Sequence, residues 1–160
     1  MICIDTNVLI WGVQGVSRPD QEVMIGRTQR YLRQLSRDNE RVMVPSVVVG
    51  EYLQGFPDNE HDAQLGVLSA NFFLPPYDAR CASLAAQLQS AGQPSHGQAG
   101  VRITFKSDVQ IIATAICHGA TKIVTANHDE YRRIAGNRIL VSDVPDVWEQ
   151  RDLLGDTTPE

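Results

Sequence analysis

Three acidic residues, Asp5, Glu51 and Asp108, stand beside strongly apolar stretches of the chain. Asp5 ends an apolar run at the N-terminus, Glu51 shares a helix face with valines, and Asp108 begins the apolar segment 108–116. A carboxylate in apolar surroundings is costly unless it is hydrogen-bonded, paired with a cation or bound to a metal. A single acid of this kind is explained by a helix cap, but three of them indicate a shared site.

A fourth group of polar side chains follows another apolar run, at residues 125–131. Asn127, Asp129 and Glu130 are its candidates for the same site. Asp129 and Glu130 are equally explained as acids in the first turn of a helix, where the helix dipole favours them. The spacing leaves Asn127 and Asp129 as equal alternatives for the fourth position.

Carboxylates gathered in this way favour a hard divalent cation. Two of them about 5 Å apart repel by a few kcal/mol at an effective dielectric near 20. Mg²⁺ or Mn²⁺ with oxygen ligands removes that cost and supports water activation and in-line phosphoryl displacement. We expect neither zinc nor a disulfide framework, because the cysteines and histidines lack close spacing. These residues are Cys3, Cys81 and Cys117, with His61, His96, His118 and His128.

The elements that must position these acids alternate along the chain. Apolar runs predict strands at 1–5, 41–45, 120–125 and 138–142. Helices are predicted between them, at 19–37, 46–55, 59–70, 78–91, 107–118 and 128–135, with Ser46 and Ser107 as N-caps. This order predicts one α/β domain, with a mostly parallel sheet of about four to five strands and helices on both faces. Ligands bind at the carboxyl ends of such strands. We assign the domain to 1–145 and a partly disordered tail to 146–160.

Composition agrees with one globular domain and excludes several classes. The chain has 160 residues, of which 42% are hydrophobic, and a net charge of −5. No apolar run approaches the roughly 18 residues of a membrane helix, and Asp5 is untypical of a signal peptide, so we expect a cytoplasmic protein without a membrane contact. The negative net charge repels phosphates, so nucleic-acid binding must depend on a local patch of basic residues.

One such patch is predicted on the helix at 19–37. Its arginines recur at helical spacing, and none of their i+4 neighbours is acidic. The stripe is either an ordinary solvated face or a contact for RNA or a protein partner, and the two interpretations are equally favoured. Lys106 flanks the proposed site and is a further candidate contact. The stripe consists of Arg27, Arg30, Arg33 and Arg37.

Four segments together resemble the PIN domain, the nuclease fold of VapC-type toxins. They are residues 4–7 (Ile-Asp-Thr-Asn), 45–53, 106–115 and 119–127, and their order and spacing match the family from residue 1 to about 142. The resemblance implies an endoribonuclease that depends on Mg²⁺ or Mn²⁺ and leaves 5′-phosphate and 3′-hydroxyl ends. It also implies a small antitoxin partner and possible homodimers.

The resemblance also implies roles for individual residues. Asp5, Glu51 and Asp108 match the metal-binding acids, and Thr6 matches the hydroxyl residue that supports the first of them. Many relatives have Asp where Asn127 stands. A second metal would then bind weakly, or Asp129 would supply the missing charge, so one-metal and two-metal sites both remain open.

Two other functions are alternatives. A catalytically inactive PIN-like module would serve RNA binding or scaffolding, and the uncertain fourth acid favours it. A phosphohydrolase would use Asp5 as its nucleophile, but that chemistry expects a second acid two residues on, where Asn7 stands.

Overall fold

The computed structural model describes the backbone of residues 1–91 and 99–147, with side chains for 1–90 and 106–147. The strands are β1 (Ile2–Ile4), β2 (Val42–Met43), β3 (Lys122–Val124) and β4 (Leu140–Ser142). The helices are α1 (Thr6–Leu9), α2 (Glu22–Arg37), α3 (Ser46–Leu53), α4 (His61–Asn71), α5 (Ala79–Ala91), α6 (Ala99–Cys117) and α7 (His128–Ala135). A π-helical turn (Ile10–Gln14) continues α1, and a short 3-10 turn (Asp58–Glu60) precedes α4.

The strands form one parallel sheet in the order β2-β1-β3-β4. Beyond β2, Phe73 makes an isolated parallel bridge to Met43, which extends that edge without forming a further regular strand. All four predicted strands are present, and the predicted α/β fold with a parallel sheet is confirmed. Because every strand runs the same way, all four carboxyl ends lie at one edge, with β1 and β3 at its centre.

The core surrounds the two central strands. Cys3, Ile4, Ile123 and Val124 are fully buried, as expected of strands covered by helices on both faces. The apolar face of α6 packs into the same core, with Ile112 among its fully buried residues. Rigid packing around β1, β3 and α6 therefore fixes the backbone that carries Asp5 and Asp108. Among the described residues, no helix is long and apolar enough to cross a membrane.

Helix α6 differs from its prediction. It begins at Ala99, whereas the sequence predicted a start near 107 with Ser107 as the cap. Asp108 consequently lies inside the helix rather than at its start. A helix cap or the helix dipole therefore does not explain this acid, since both act only in the first turn.

A further difference is a short helix after β1. The sequence missed α1, which begins because the Asp5 side chain accepts a hydrogen bond from the Val8 amide. Of the predicted tail 146–160, residues 148–160 lie outside the described part of the chain.

Candidate active site

Asp5 leaves β1 at the centre of the sheet and is 4% exposed. The register that pairs Ile4 with Val124 places Asp5 beside Thr125, the residue that follows β3. The Thr125 hydroxyl donates a 2.5 Å hydrogen bond to Oδ2 of Asp5, and the Val8 amide donates one of 2.9 Å to Oδ1. Asp5 is therefore both the N-cap of α1 and a buried acid of the site.

Glu51 comes from α3, which begins shortly after β2, the neighbour of β1 in the sheet. The Thr6 hydroxyl donates a hydrogen bond to Oε2 of Glu51. The sequence predicted that Thr6 orients Asp5, and that assignment was wrong. Thr6 lies in the first turn of α1, which packs against α3, so its hydroxyl meets Glu51. Thr125 takes the role toward Asp5 instead.

Asp108 enters the site from α6 and is 8% exposed. The Nδ2 amide of Asn127 donates a 3.3 Å hydrogen bond to its Oδ2, and the Tyr131 hydroxyl also donates to it. The backbone amide of Asn127 in turn donates to the Thr125 hydroxyl at 3.0 Å. The turn after β3 thus binds Asp5 at one end and Asp108 at the other.

Burial dominates the electrostatics of this site. It raises the pKa of Asp5 to about 6, with the Glu51 charge adding to the rise and the bonds from Thr125 and Val8 opposing it. Burial likewise raises the pKa of Asp108 to about 7, against the bond from Tyr131. The charges that raise it further belong to Asp5, Glu51 and Glu130. The charged groups with the largest effects on both carboxyls are therefore other acids.

We call Asp5, Glu51 and Asp108 the acid cluster, because the charge of Glu51 acts on both other carboxyls and that of Asp5 acts on Asp108. In the described part of the chain, one trio of acid, Cys and His ligand atoms comes within 4.8 Å of one another, and it lies elsewhere. The acid cluster is more open, as expected of carboxylates that repel each other. Its donors are all oxygens, which fit a hard divalent cation, and binding one ion to all three requires them to approach.

The structure separates the two candidates for the fourth position. Asn127 contacts Asp108, whereas the side chain of Asp129 is 89% exposed and lies 3.9 Å from Arg132 and 3.5 Å from His128. Glu130 is hydrogen-bonded to Arg133. Asn127 therefore has the geometry expected of the fourth position, and Asp129 points away from it.

Sequence reasoning missed two residues of the site. Thr125 is fully buried and Tyr131 is 1% exposed, and they hold Asp5 and Asp108 respectively. A polar residue at the end of a buried strand, next to the strand that carries Asp5, was a usable signal for Thr125. Tyr131 had no such signal, because an aromatic residue on α7 is expected to pack in the core.

The arginine stripe of α2 contacts the chain beyond β4. Nη1 of Arg27 lies 3.9 Å from Oδ2 of Asp143, and Nη2 of Arg30 lies 3.7 Å from Oδ1 of Asp146. Arg30 also donates a 3.1 Å hydrogen bond to the Val147 carbonyl. These partners are distant in sequence, so a search of i+4 neighbours could not find them. Of the other predicted contacts, Arg33 lines a cleft of about 1120 Å³ between α2 and the end of α4, and Arg37 and Lys106 are exposed.

A second group of ligand-type side chains lies away from the acid cluster. Ligand atoms of Asp78, Cys81 and His118 all lie within 4.8 Å of one another. The spacing of cysteines and histidines in the sequence did not reveal this group. The spacing rules detect ligands that are close in sequence, whereas these come from the start of α5 and the end of α6.

Comparison with known proteins agrees with this architecture. The fold is similar to that of a chain in the crystal structure of VapBC2 from Rickettsia felis bound to a DNA fragment from their promoter, with a TM-score of 0.61 and 19% identity. The similarity covers 89% of this chain and 98% of that one. No curated protein matches the sequence. The PIN domain family matches residues 2–137, nearly the whole described chain and all three residues of the acid cluster. The chain therefore belongs to the PIN domain family.

Proposed function

We propose that this protein is a metal-dependent endoribonuclease and the toxin of a VapC-like toxin–antitoxin pair. The observation that carries the proposal is the acid cluster itself. Asp5 and Asp108 come from segments far apart in the chain and are almost fully buried, and the charges of Asp5 and Glu51 add to the effect of burial on the pKa of Asp108. Membership in the PIN family, whose members are typically nucleases, supports the same activity.

Asp5, Glu51 and Asp108 would hold a Mg²⁺ or Mn²⁺ ion, with Asn127 beside them in the fourth position. Such an ion supplies Lewis acidity toward a phosphate oxygen and makes water a better nucleophile at neutral pH. The cost of keeping these carboxylates together without a cation is the physical reason for expecting it.

The surrounding side chains orient the acids. Each hydroxyl donor uses one lone pair of a carboxylate oxygen, as Thr125 does on Asp5 and Thr6 does on Glu51, so further lone pairs remain for an ion. Asn127 and Tyr131 restrain Asp108 in the same way. These bonds hold three mutually repelling groups in one geometry, which lowers the reorganisation that the reaction requires.

RNA is the substrate that we infer from the family resemblance, and cleavage should leave 5′-phosphate and 3′-hydroxyl ends. Lys106 is exposed on α6 and is a candidate contact for an RNA phosphate. The negative total charge makes such local contacts necessary.

The test incubates purified protein with a mixed RNA pool in Mn²⁺ and in excess chelator, and maps the cut ends. Cleavage should occur only with the metal. Asp108→Asn keeps the size of the side chain and should lower the rate by roughly 10²- to 10³-fold, comparable to removing one preorganised charge-stabilising group. Asp62→Asn, which changes an exposed acid on α4, is the matched control and should cleave normally.

Cleavage that persists in chelator would contradict the metal-dependent mechanism. If the protein neither cleaves RNA nor binds Mn²⁺, the scaffolding alternative is correct. Asn7 in place of a second acid continues to disfavour the Asp-nucleophile phosphohydrolase.

The partner in this proposal is a small antitoxin, and the site of action is the cytoplasm. The VapBC2 structure, which shares this fold, supports the choice of partner. A short reading frame immediately upstream of the gene is the expected source. Co-expression of its product should yield a stable complex without nuclease activity, and light scattering of the isolated chain would test the predicted homodimer.

A further inference from the structure

The second cluster of ligand-type side chains joins the two ends of a helical hairpin. Asp78 and Cys81 lie at the start of α5, and His118 directly follows the end of α6, against which α5 packs. Their ligand atoms lie within 4.8 Å of one another. Burial raises the pKa of the Cys81 thiol, and the neighbouring thiol of Cys117, the last residue of α6, adds to the rise. A thiol, an imidazole and a carboxylate therefore meet at one place, and the Cys117 thiol lies outside this group of three.

The geometry points to a zinc site formed by Asp78, Cys81 and His118, with Cys117 as the fourth ligand. We call these four residues the thiol–imidazole cluster. Sulfur and nitrogen donors in fourfold coordination are the set that Zn²⁺ prefers, whereas Mg²⁺ and Mn²⁺ prefer oxygen. The site is distinct from the acid cluster, and it does not depend on the proposed nuclease activity.

The hydrogen bonds around His118 prepare its ring for this role. Its Nε2 lies 3.2 Å from the Pro76 carbonyl oxygen. A carbonyl only accepts hydrogen bonds, so Nε2 donates in this contact and Nδ1 is the ring nitrogen left to bind a metal. A bond from one ring nitrogen to a backbone carbonyl is the usual way in which a metal-binding histidine is oriented.

The accessibility of the four residues also fits metal entry. Cys81 is fully buried, Cys117 and His118 are half-buried, and Asp78 is exposed. All three cysteines of the chain are reduced thiols. On binding, Cys81 and Cys117 each lose a proton to the buffer and bind as thiolates, while His118 and Asp78 supply a nitrogen and an oxygen. No oxidation state changes.

Binding would clamp the start of α5 to the end of α6. Helix α6 also carries Asp108 of the acid cluster. A metal bound at the C-terminal end of α6 would therefore restrain a helix that contributes to the acid cluster. An ion that binds only the folded chain stabilises it by mass action. At free Zn²⁺ about a hundred times the Kd, we expect the melting temperature to rise by roughly 5 to 10 °C.

Co²⁺ is the first probe, because thiolate ligands give it a charge-transfer band and tetrahedral coordination gives it intense visible bands. Metal-stripped protein titrated with Co²⁺ should develop both, and added Zn²⁺ should bleach them at one equivalent. A weak octahedral spectrum without the thiolate band would overturn the proposal.

Variants identify the ligands. Asp78 accepts a 2.9 Å hydrogen bond from the Cys81 amide as the cap of α5, and Asp78→Asn keeps that cap while weakening the ligand. We expect Zn²⁺ affinity to fall at least roughly tenfold in each of the variants Asp78→Asn, His118→Gln and Cys117→Ser. Loss of a residue that only hydrogen-bonds to a metal ligand already lowers the affinity by about that factor. Unchanged affinity in Cys117→Ser would overturn its assignment as the fourth ligand.

Cys3→Ala is the matched control, because Cys3 is a buried thiol of β1 outside the cluster. It should bind Zn²⁺ and Co²⁺ as the unmodified chain does. Equal loss of the charge-transfer band in Cys3→Ala and Cys117→Ser would show that the metal is not held at the cluster. Circular dichroism of each metal-free variant confirms that it is folded before binding is compared.

Discussion

The acid cluster and the thiol–imidazole cluster are two groups of ligand-type side chains on one small domain, and helix α6 contributes to both. The first offers only oxygen donors and lies at the carboxyl ends of the strands. The second offers sulfur, nitrogen and oxygen donors and lies where the start of α5 meets the end of α6. Donor type alone therefore predicts different ions for the two, a hard cation at the sheet and Zn²⁺ at the hairpin.

The two clusters also differ in how the fold assembles them. In a parallel sheet the carboxyl ends of all strands lie at one edge, however far apart the strands are in sequence. Acids at those ends therefore come close together. The thiol–imidazole cluster exists only because α5 packs along α6 in one particular alignment. The comparison teaches that spacing rules find sites at strand ends, and miss sites created by the packing of helices.

The largest expected effect tests whether the two clusters bind different metals. In wild type, Mn²⁺ and Zn²⁺ should each stabilise the chain, by about 4.1 kcal/mol at a thousand times the Kd. Asp108→Asn should lose most of the response to Mn²⁺ and keep that to Zn²⁺, and His118→Gln should do the reverse. Thermal melts of the three proteins in chelator and in each metal measure this. If one variant loses both responses, the clusters are not independent.

The next effect is the pH dependence of stability in the metal-free protein. The folded chain raises the pKa of Asp5 to about 6 and of Asp108 to about 7, so it keeps protons that the unfolded chain releases above about pH 4. The free energy of unfolding should therefore fall as the pH rises from about 4 to 7 and level off above that. Because the two carboxyls titrate together, we expect a total loss of roughly 2 to 4 kcal/mol.

Denaturant unfolding in chelator across this pH range measures the loss. Asp108→Asn should show a smaller fall and, at pH 8, should be as stable as wild type or more so by about 1 kcal/mol, since one repelling charge is gone. A variant that is less stable than wild type at every pH would instead assign Asp108 a purely structural role.

A smaller effect separates the two candidates for the fourth position of the acid cluster. Asn127→Ala removes the donor that contacts Asp108 and should lower Mn²⁺ affinity by roughly tenfold, as outer partners of metal ligands do. Asp129→Ala changes an exposed side chain and should alter that affinity little. Calorimetric titration with Mn²⁺ compares them. A larger loss of Mn²⁺ affinity in Asp129→Ala than in Asn127→Ala would mean that Asp129 turns inward and supplies the missing charge when the ion binds.

The smallest effect concerns α2, which belongs to neither cluster. Replacing Arg27 and Arg30 by Gln removes two partly exposed ion pairs and should cost about 0.5 kcal/mol of stability. The salt dependence of RNA binding should stay unchanged, because these guanidinium groups contact Asp143 and Asp146. A flatter salt dependence would show that they contact RNA phosphates instead.

The sequence by itself determined the α/β class and the four strands, and it singled out the three residues of the acid cluster as candidates. Apolar runs buried on both faces are recognisable without a partner, and a charged residue in such a run is anomalous enough to be noticed. The resemblance to the PIN domain used the same residues, and the family match confirms it.

Tertiary structure decided how these groups are held. The register between β1 and β3 assigns Thr125 to Asp5, and the packing of α1 against α3 assigns Thr6 to Glu51. The early start of α6 places Asp108 inside a helix, which removes the capping explanation. Each of these results depends on contacts between segments far apart in the chain, which local periodicity does not encode. The thiol–imidazole cluster is the clearest case, since most of α5 and all of α6 separate Cys81 from His118 in sequence, while their ligand atoms lie within 4.8 Å of each other.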